Sequence, residues 1–201
     1  MTRTIIFDLG QVIVPFDFQR GYAAIAAECV HPPEEIRRRL RETGLVLPFE
    51  EGKVAPGEFV RRVTEALDLP VSYERFCEMW SSIFLPETLI PESMVASLHE
   101  RYRVLLLSNT NVIHFEMIRD KYPIMRHFDH CVLSYEVGAM KPAPEIYREA
   151  VIRAECNPEE IFFTDDIAMN VEAARTHGID AIQFQSLPQL EDDMRSRGIV
   201  W

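Results

Sequence analysis

The sequence predicts an α/β fold: a three-layer, Rossmann-like parallel sheet core carrying an inserted four-helix cap. Three observations predict it. Short β-branched or aromatic runs recur along the chain, most of them closely followed by polar residues. Amphipathic helical stretches alternate with the later runs, the pattern of a parallel sheet covered by helices on both faces. One long block after the first run, residues 15–84, shows helical periodicity and no strand.

The first run, Thr4 to Phe7, ends at Asp8 and reads as a buried strand. The second is Val104 to Leu107, followed by Ser108-Asn109-Thr110. The third is His130 to Leu133, the fourth Ile161 to Phe163 and the fifth Ala181 to Phe184. Between them, Pro91 to Tyr102 sets Met94, Val95, Leu98 and Tyr102 on one helical face. Pro144 to Cys156 does the same with Ile146, Ala150, Val151 and Ala154, and Met169 to His177 stops at Gly178. Inside residues 15–84 the candidate helices are 18–30, 33–43, 56–67 and 72–84. A unit of that size is marginal alone and should lean on the main domain. The division is therefore a core of residues 1–14 and 85–201 and a cap of 15–84, with hinges at Val14-Pro15 and Leu85-Pro86. Phe49, Phe59, Tyr73, Phe76 and Trp80 are candidates for the cap core, while Phe16 and Phe18 suit the cleft. The Arg37 to Arg41 run reads as a solvated helix face.

Composition narrows the function. The 201 residues are 47% hydrophobic, enough for a core, and carry 21 Lys+Arg against 32 Asp+Glu, a net charge of -11. An acidic chain repels a nucleic-acid backbone, so no nucleic-acid partner is expected. No apolar run reaches the roughly 20 residues a membrane span needs, so no membrane partner is expected either. Cys29, Cys77, Cys131 and Cys156 form no close pair, which fits reduced thiols in a cytoplasmic protein, a monomer or a homodimer.

The polar residues at the strand ends carry the chemistry. Asp8 follows the first strand, Ser108 the second and Asp165-Asp166 the fourth; Lys141 follows the third after a short loop. In an open parallel sheet these ends share one crevice. Carboxylates in contact repel by roughly 4 kcal/mol per pair at an effective dielectric near 20. A hard divalent cation such as Mg²⁺ relieves that repulsion. With Lys141 it would balance the three carboxylates and leave a place for an anion such as phosphate. Asp165-Asp166 can also serve as a helix N-cap, and so can Ser108-Asn109.

These residues stand in recognisable strings: Phe7-Asp8-Leu9-Gly10-Gln11-Val12, Leu107-Ser108-Asn109-Thr110, Gly138-Ala139-Met140-Lys141-Pro142, and Phe163-Thr164-Asp165-Asp166 with Asn170 beyond. In that order the chain resembles the haloacid dehalogenase-like superfamily over nearly its whole length, with a cap of the kind placed between the first and second motifs. The wording FDLGQVIV, LLSNTN and FFTDD is similar to that of bacterial sugar-phosphate phosphatases, the alpha-D-glucose-1-phosphate phosphatases being the best-fitting group. The resemblance implies a Mg²⁺-dependent phosphatase for a small phosphorylated metabolite, working through an aspartyl-phosphate. It implies Asp8 as nucleophile, Ser108 and Asn109 as holders of the phosphoryl oxygens, and Lys141 as the neutralising cation for nucleophile and phosphate. Asp8, Asp166 and the Gly10 carbonyl would hold the metal. Asp165 would assist through a water or by orienting Lys141, and Asn170 would buttress the loop.

One position departs from the superfamily's commoner pattern, in which a second aspartate two residues after the nucleophile acts as general acid and base. Here that position is Gly10. A positioned acid–base typically contributes 10²–10⁴-fold. Its loss hurts least where the leaving group is good, as at an anomeric sugar oxygen. Asp17 either supplies a carboxyl group from the hinge or caps a helix. The same change leaves open a phosphate-binding or regulatory protein with weak activity. Haloacid dehalogenation, which needs no metal, is a third reading, disfavoured by the doubled aspartate. His114 and His177 read as helix-face residues.

Overall fold

The computed structural model describes all 201 residues. Five strands, β1 (Thr4–Phe7), β2 (Arg103–Ser108), β3 (His130–Leu133), β4 (Ile161–Asp165) and β5 (Asp180–Gln183), form one parallel sheet in the order β3-β2-β1-β4-β5. Their apolar runs are buried because both faces are covered. Side chains alternate across the sheet. Ile5, Phe7, Val104, Leu106 and Phe162 enter one core layer, and Ile6, Leu105, Leu107 and Phe163 the other.

The cap helices follow β1: α1 (Phe18–Ala26), α2 (Pro33–Thr43), α3 (Val46–Glu50), α4 (Pro56–Ala66) and α5 (Tyr73–Ser81). The core helices are α6 (Glu92–His99), α7 (Val112–Lys121), α8 (Ser134–Val137), α9 (Pro144–Ala154), α10 (Ala168–Thr176) and α11 (Leu187–Ser196). Apolar residues of α6, α7 and α11 cover one sheet face, and those of α9 and α10 the other. No helix is long and apolar enough to cross a membrane.

The block of residues 15–84 holds five helices, one more than the periodicity indicates. The extra one, α3, has 5 residues, too few for a repeating apolar face to register. The first cap helix also stops at Ala26 rather than near Val30. These helices gather a hydrophobic cluster of their own around Phe49, Phe59 and Phe76, joined from the core by Ile113 of α7. Phe49 stacks on Phe59 at 4.0 Å between centroids, and Trp80 meets Phe59 edge-on at 5.2 Å. Tyr73, expected in that cluster, lies 43% exposed at the first residue of α5.

The chain enters and leaves this unit by two adjacent segments. Phe16 and Phe84 form an antiparallel bridge, the Asp17 N–H donates to the Ile83 carbonyl, and the Leu85 N–H donates to the Pro15 carbonyl. Asp17 is the N-cap of α1, accepting from the Gln19 N–H at 2.9 Å.

Truncating Phe59 removes a fully buried ring shared by three aromatic contacts. In a Trp201→Phe background, where Trp80 is the sole tryptophan, Phe59→Ala should lower the unfolding free energy by about 3–5 kcal/mol. A urea titration followed by Trp80 emission measures it.

Candidate active site

The sheet order places β1 between β2 and β4, so the ends of these three strands lie side by side. Asp8 extends β1 by one step, its N–H donating to the Thr164 carbonyl at 2.9 Å. Ser108 closes β2 opposite Leu133 of β3, and Asp165 closes β4 opposite Gln183 of β5. One oxygen from each of Asp8, Asp165 and Asp166 lies within 4.8 Å of the other two.

Lys141 ties these ends together. Its side chain is 1% exposed, and its Nζ sits 2.7 Å from Asp8 Oδ1, 2.6 Å from Asp165 Oδ2 and 2.9 Å from the Leu107 carbonyl. An ammonium has three protons, and these three acceptors occupy them. Lys141 therefore acts on a bound anion through its charge and through Asp8, with no fourth N–H to donate.

The aspartates divide by what already binds them. Asp165 is fully buried. Its Oδ1 accepts from the Ile167 N–H and Asn170 Nδ2, and its Oδ2 from Lys141 and the same amide. Both of its oxygens are occupied, which leaves it to orient Lys141. Asn170 braces Asp165, and its own carbonyl accepts from the Tyr147 hydroxyl. In Asp8 only Oδ1 is engaged, by Lys141 and the Leu9 N–H at 2.7 Å. The turn after Asp8 runs its backbone bonds to Leu9 and Val14, so the Gly10 carbonyl stays outside them. The second oxygen of Asp8, the Asp166 carboxylate and the Gly10 carbonyl are thus the hard oxygen donors left over, a set that suits Mg²⁺.

The charges at the site suit a cation. Burial pushes the Asp8 carboxyl up to about 7; Lys141 opposes that and Asp165 adds to it. Asp166 is raised as well, by burial and by Asp165 beside it. Burial also acts against the Lys141 ammonium, yet Asp8 and Asp165 outweigh it and its pKa ends above the usual value.

Ser108 is 2% exposed, and the side-chain bonds of the surrounding loop leave its hydroxyl out. Its hydroxyl is left free for a ligand. Asn109 is committed elsewhere. Its Nδ2 donates to the Lys141 carbonyl at 2.9 Å, and its Oδ1 accepts from the Lys141 N–H at 2.7 Å. The side chain expected on phosphate clamps the lysine's backbone, which leaves one amide proton uncommitted. Asp17, capping α1, has its carboxylate engaged by a backbone N–H rather than turned to act as an acid.

Gly10 has a steric cause. A Cβ there would come within 2.7 Å of the Phe16 ring. Phe16 packs against Phe18 at 5.0 Å and Phe84 at 6.1 Å, in the hinge. An aromatic cluster fills the place where a second aspartate would stand.

Three residues were not singled out by sequence. His114, read as a helix-face residue, is 8% exposed; it bonds the Trp80 carbonyl and Asn111, and burial lowers its pKa to about 4. Glu50, at the end of α3, is raised to about 7 by burial. It lines an apolar cavity of about 400 Å³ between cap and α7, walled by Phe18, Ile25, Trp80, Ile83 and His114. Ser134 is fully buried between cap and core. Each is fixed by contacts distant in sequence, and no local pattern marks them.

Comparison with known proteins follows the same lines. The family model for haloacid dehalogenase-like hydrolases matches residues 2–178. A D-ribitol-5-phosphate phosphatase of Bacteroides thetaiotaomicron is 28% identical over 189 residues, 91% of this chain and 92% of the relative. A phosphorylated carbohydrates phosphatase of Thermotoga maritima is 26% identical, over 90% of this chain and 83% of its own. A solved structure of a haloacid dehalogenase family enzyme from B. thetaiotaomicron, in complex with magnesium and inorganic phosphate, superposes with a TM-score of 0.82 at 28% identity, covering 93% of this chain and 96% of that one.

The contact at Gly10 yields a prediction. Gly10→Asp alone should destabilise the protein by about 1–3 kcal/mol through overpacking against Phe16. Adding Phe16→Ala should relieve the clash. Thermal melts of the single and double variants test it, and stability no better in the double variant would contradict the steric account.

Proposed function

The chain belongs to the haloacid dehalogenase-like hydrolase family, and from that premise we propose that it dephosphorylates a small metabolite, a sugar phosphate above all, through an aspartyl-phosphate on Asp8. It is a phosphoric monoester hydrolase of the magnesium-dependent kind. The observation that carries the reading is the buried Lys141 ammonium, bonded to Asp8 and Asp165 with Asp166 alongside.

Asp8 attacks phosphorus; the bond to the ester oxygen breaks, and the alkoxide leaves to take a proton. Water then cleaves the aspartyl-phosphate and restores the carboxylate. Splitting the reaction this way replaces one hard step by two easier ones. Lys141 opposes the burial that raises the Asp8 carboxyl to about 7 and offsets the charge of the phosphoryl group. The Ser108 hydroxyl donates to a phosphoryl oxygen. A magnesium ion held by Asp8, Asp166 and the Gly10 carbonyl would supply charge neutralisation and orient the ester.

With glycine at position 10 no neighbouring carboxyl protonates the leaving oxygen. A leaving group of low basicity, such as an anomeric sugar oxygen, suits such a site. The relatives that act on phosphorylated carbohydrates support a sugar substrate. The four free cysteines suit a reducing, cytoplasmic setting.

A second reading, phosphate binding with weak turnover, is favoured by the Phe16 ring filling the acid's place. Haloacid dehalogenation gains nothing from a third carboxylate at the site. Turnover of p-nitrophenyl phosphate with Mg²⁺ separates the readings. We expect hydrolysis that EDTA abolishes and that falls by about 10³-fold or more in Asp8→Asn, as expected when a covalent nucleophile is removed. Tight phosphate binding without turnover across a panel of sugar phosphates would establish the binder instead.

The metal reading has its own pH signature. Mg²⁺ must displace protons that burial holds on Asp8 up to about 7. The rise in Tm on adding Mg²⁺ should therefore be small at pH 5 and grow through pH 7 to pH 8. Asp166→Asn should reduce that rise at every pH. A rise that is equal at pH 5 and 8 would count against carboxylate ligation.

A further inference from the structure

The cap touches the core tightly at one turn. Gly52, just beyond α3, has φ +67°, and a Cβ there would fall 2.0 Å from the Tyr135 carbonyl oxygen in α8. Only glycine fits so close an approach. Two residues earlier, the Glu50 carbonyl accepts from Ser134 Oγ at 2.7 Å.

Ser134 is also joined to the loop that follows β2. Its Oγ accepts from the Thr110 N–H at 2.9 Å and lies 2.9 Å from the Thr110 carbonyl. Thr110 comes directly after Ser108 and Asn109, and Asn109 clamps both backbone groups of Lys141. Hydrogen bonds and short stretches of backbone therefore lead from the cap turn through Ser134, Thr110, Asn109 and Lys141 to Asp8.

A serine hydroxyl has a single proton. Two carbonyls compete for it here, one from the cap and one from the phosphate-binding loop. While the turn is docked, the proton is shared between the Glu50 carbonyl at 2.7 Å and the Thr110 carbonyl at 2.9 Å. If the turn lifts, Glu50 leaves and the proton has only the Thr110 carbonyl. The hydroxyl then grips that residue at both its N–H and its carbonyl.

We propose that Ser134 is a positioning residue that links docking of the cap turn Glu50–Lys53 to the placement of the Ser108–Thr110 loop. This rests on the phosphatase reading for its catalytic consequence, while the linkage itself stands on the hydrogen bonds alone. With the turn docked, the hydroxyl is shared between the two carbonyls and the loop is placed so that Ser108 meets the phosphoryl group. With the turn lifted or the hydroxyl removed, that placement is lost. The device favours chemistry only when the cap is seated, which excludes water from the aspartyl-phosphate site during transfer.

Two variants approach the link from opposite sides. Ser134→Ala removes the hydroxyl. Gly52→Ala unseats the turn through its Cβ and leaves Ser134 and Thr110 intact. In the full chain, both should lower kcat for p-nitrophenyl phosphate by about tenfold with KM changed less than twofold, and both should speed amide hydrogen exchange at residues 50–53. The decisive readout is Gly52→Ala, whose change on the cap should displace the Thr110 amide resonance on the core.

An unmoved Thr110 resonance in that variant, with exchange at 50–53 raised, would overturn the proposal. So would kcat at the wild-type value in a folded Ser134→Ala. If Ser134→Ala fails to fold, Gly52→Ala decides alone. If the wild type hydrolyses no phosphate ester, the phosphatase reading falls, and the Thr110 resonance still decides the linkage.

Discussion

The buried ammonium of Lys141 is the interaction on which the site depends. It arrives from the loop after β3 and bonds the ends of the next three strands in the sheet: the Leu107 carbonyl of β2, Asp8 after β1 and Asp165 of β4. Taking three carboxylates and an ammonium out of water costs several kcal/mol per ion, and their attraction offsets this only if every lone pair and proton finds a partner. Here nearly all do. Asp165 is saturated by Lys141, Ile167 and Asn170, and Lys141 by its three acceptors. The unsatisfied remainder, one oxygen of Asp8 and the exposed side of Asp166, is where the proposed chemistry would take place. Reactivity and residual instability therefore sit on the same atoms.

Much of this was legible in the sequence, and the reasons differ by element. The strands were plain because a parallel sheet buries both faces, so Thr4 to Phe7 and Val104 to Leu107 are apolar without alternation. The strand-end positions of Asp8, Ser108 and Asp165 followed once the strands were placed. Helices of four or five residues, α3 and α8, left no trace, since a periodic face needs at least two turns to be seen. Asn109 was found, but the contact its side chain makes was not. Its position beside Ser108 suggested phosphate, whereas its partner is the backbone of residue 141, a contact between loops that no local spacing encodes. Ser134 and Glu50 are invisible for the same reason.

Gly10 and Phe16 show how an apparent loss can be a packing decision. Read alone, a glycine where an acid is usual suggests decay of the site. In the fold, the ring of Phe16 occupies that volume, and Phe18 and Phe84 support it where the chain enters and leaves the cap. The Gln11 side chain reinforces the arrangement by donating to the Phe16 carbonyl at 2.8 Å. The hinge is stiffened by aromatic contacts at the position where the leaving group would otherwise meet a proton donor. On the proposed mechanism that exchange would favour substrates whose oxygen departs without help, and it leaves Asp8, Lys141 and Asp166 untouched.

Charge then governs what the site admits. The chain carries a net charge of -11, so nothing at long range draws a phosphate ester toward it. At the site, three aspartates surround one lysine whose protons are already committed to the protein. With all three ionised, an arriving phosphate would meet two net negative charges and one neutral hydroxyl, Ser108. The coulombic cost of a dianion there, at several kcal/mol per contact pair, exceeds what one hydroxyl bond returns. With Asp8 protonated instead, the repulsion eases, but the nucleophile is lost. A divalent cation at the proposed donors would let the site admit the ester while Asp8 is ionised. On that reading a phosphate anion without the metal should bind weakly at neutral pH, a consequence of how Lys141 is bonded.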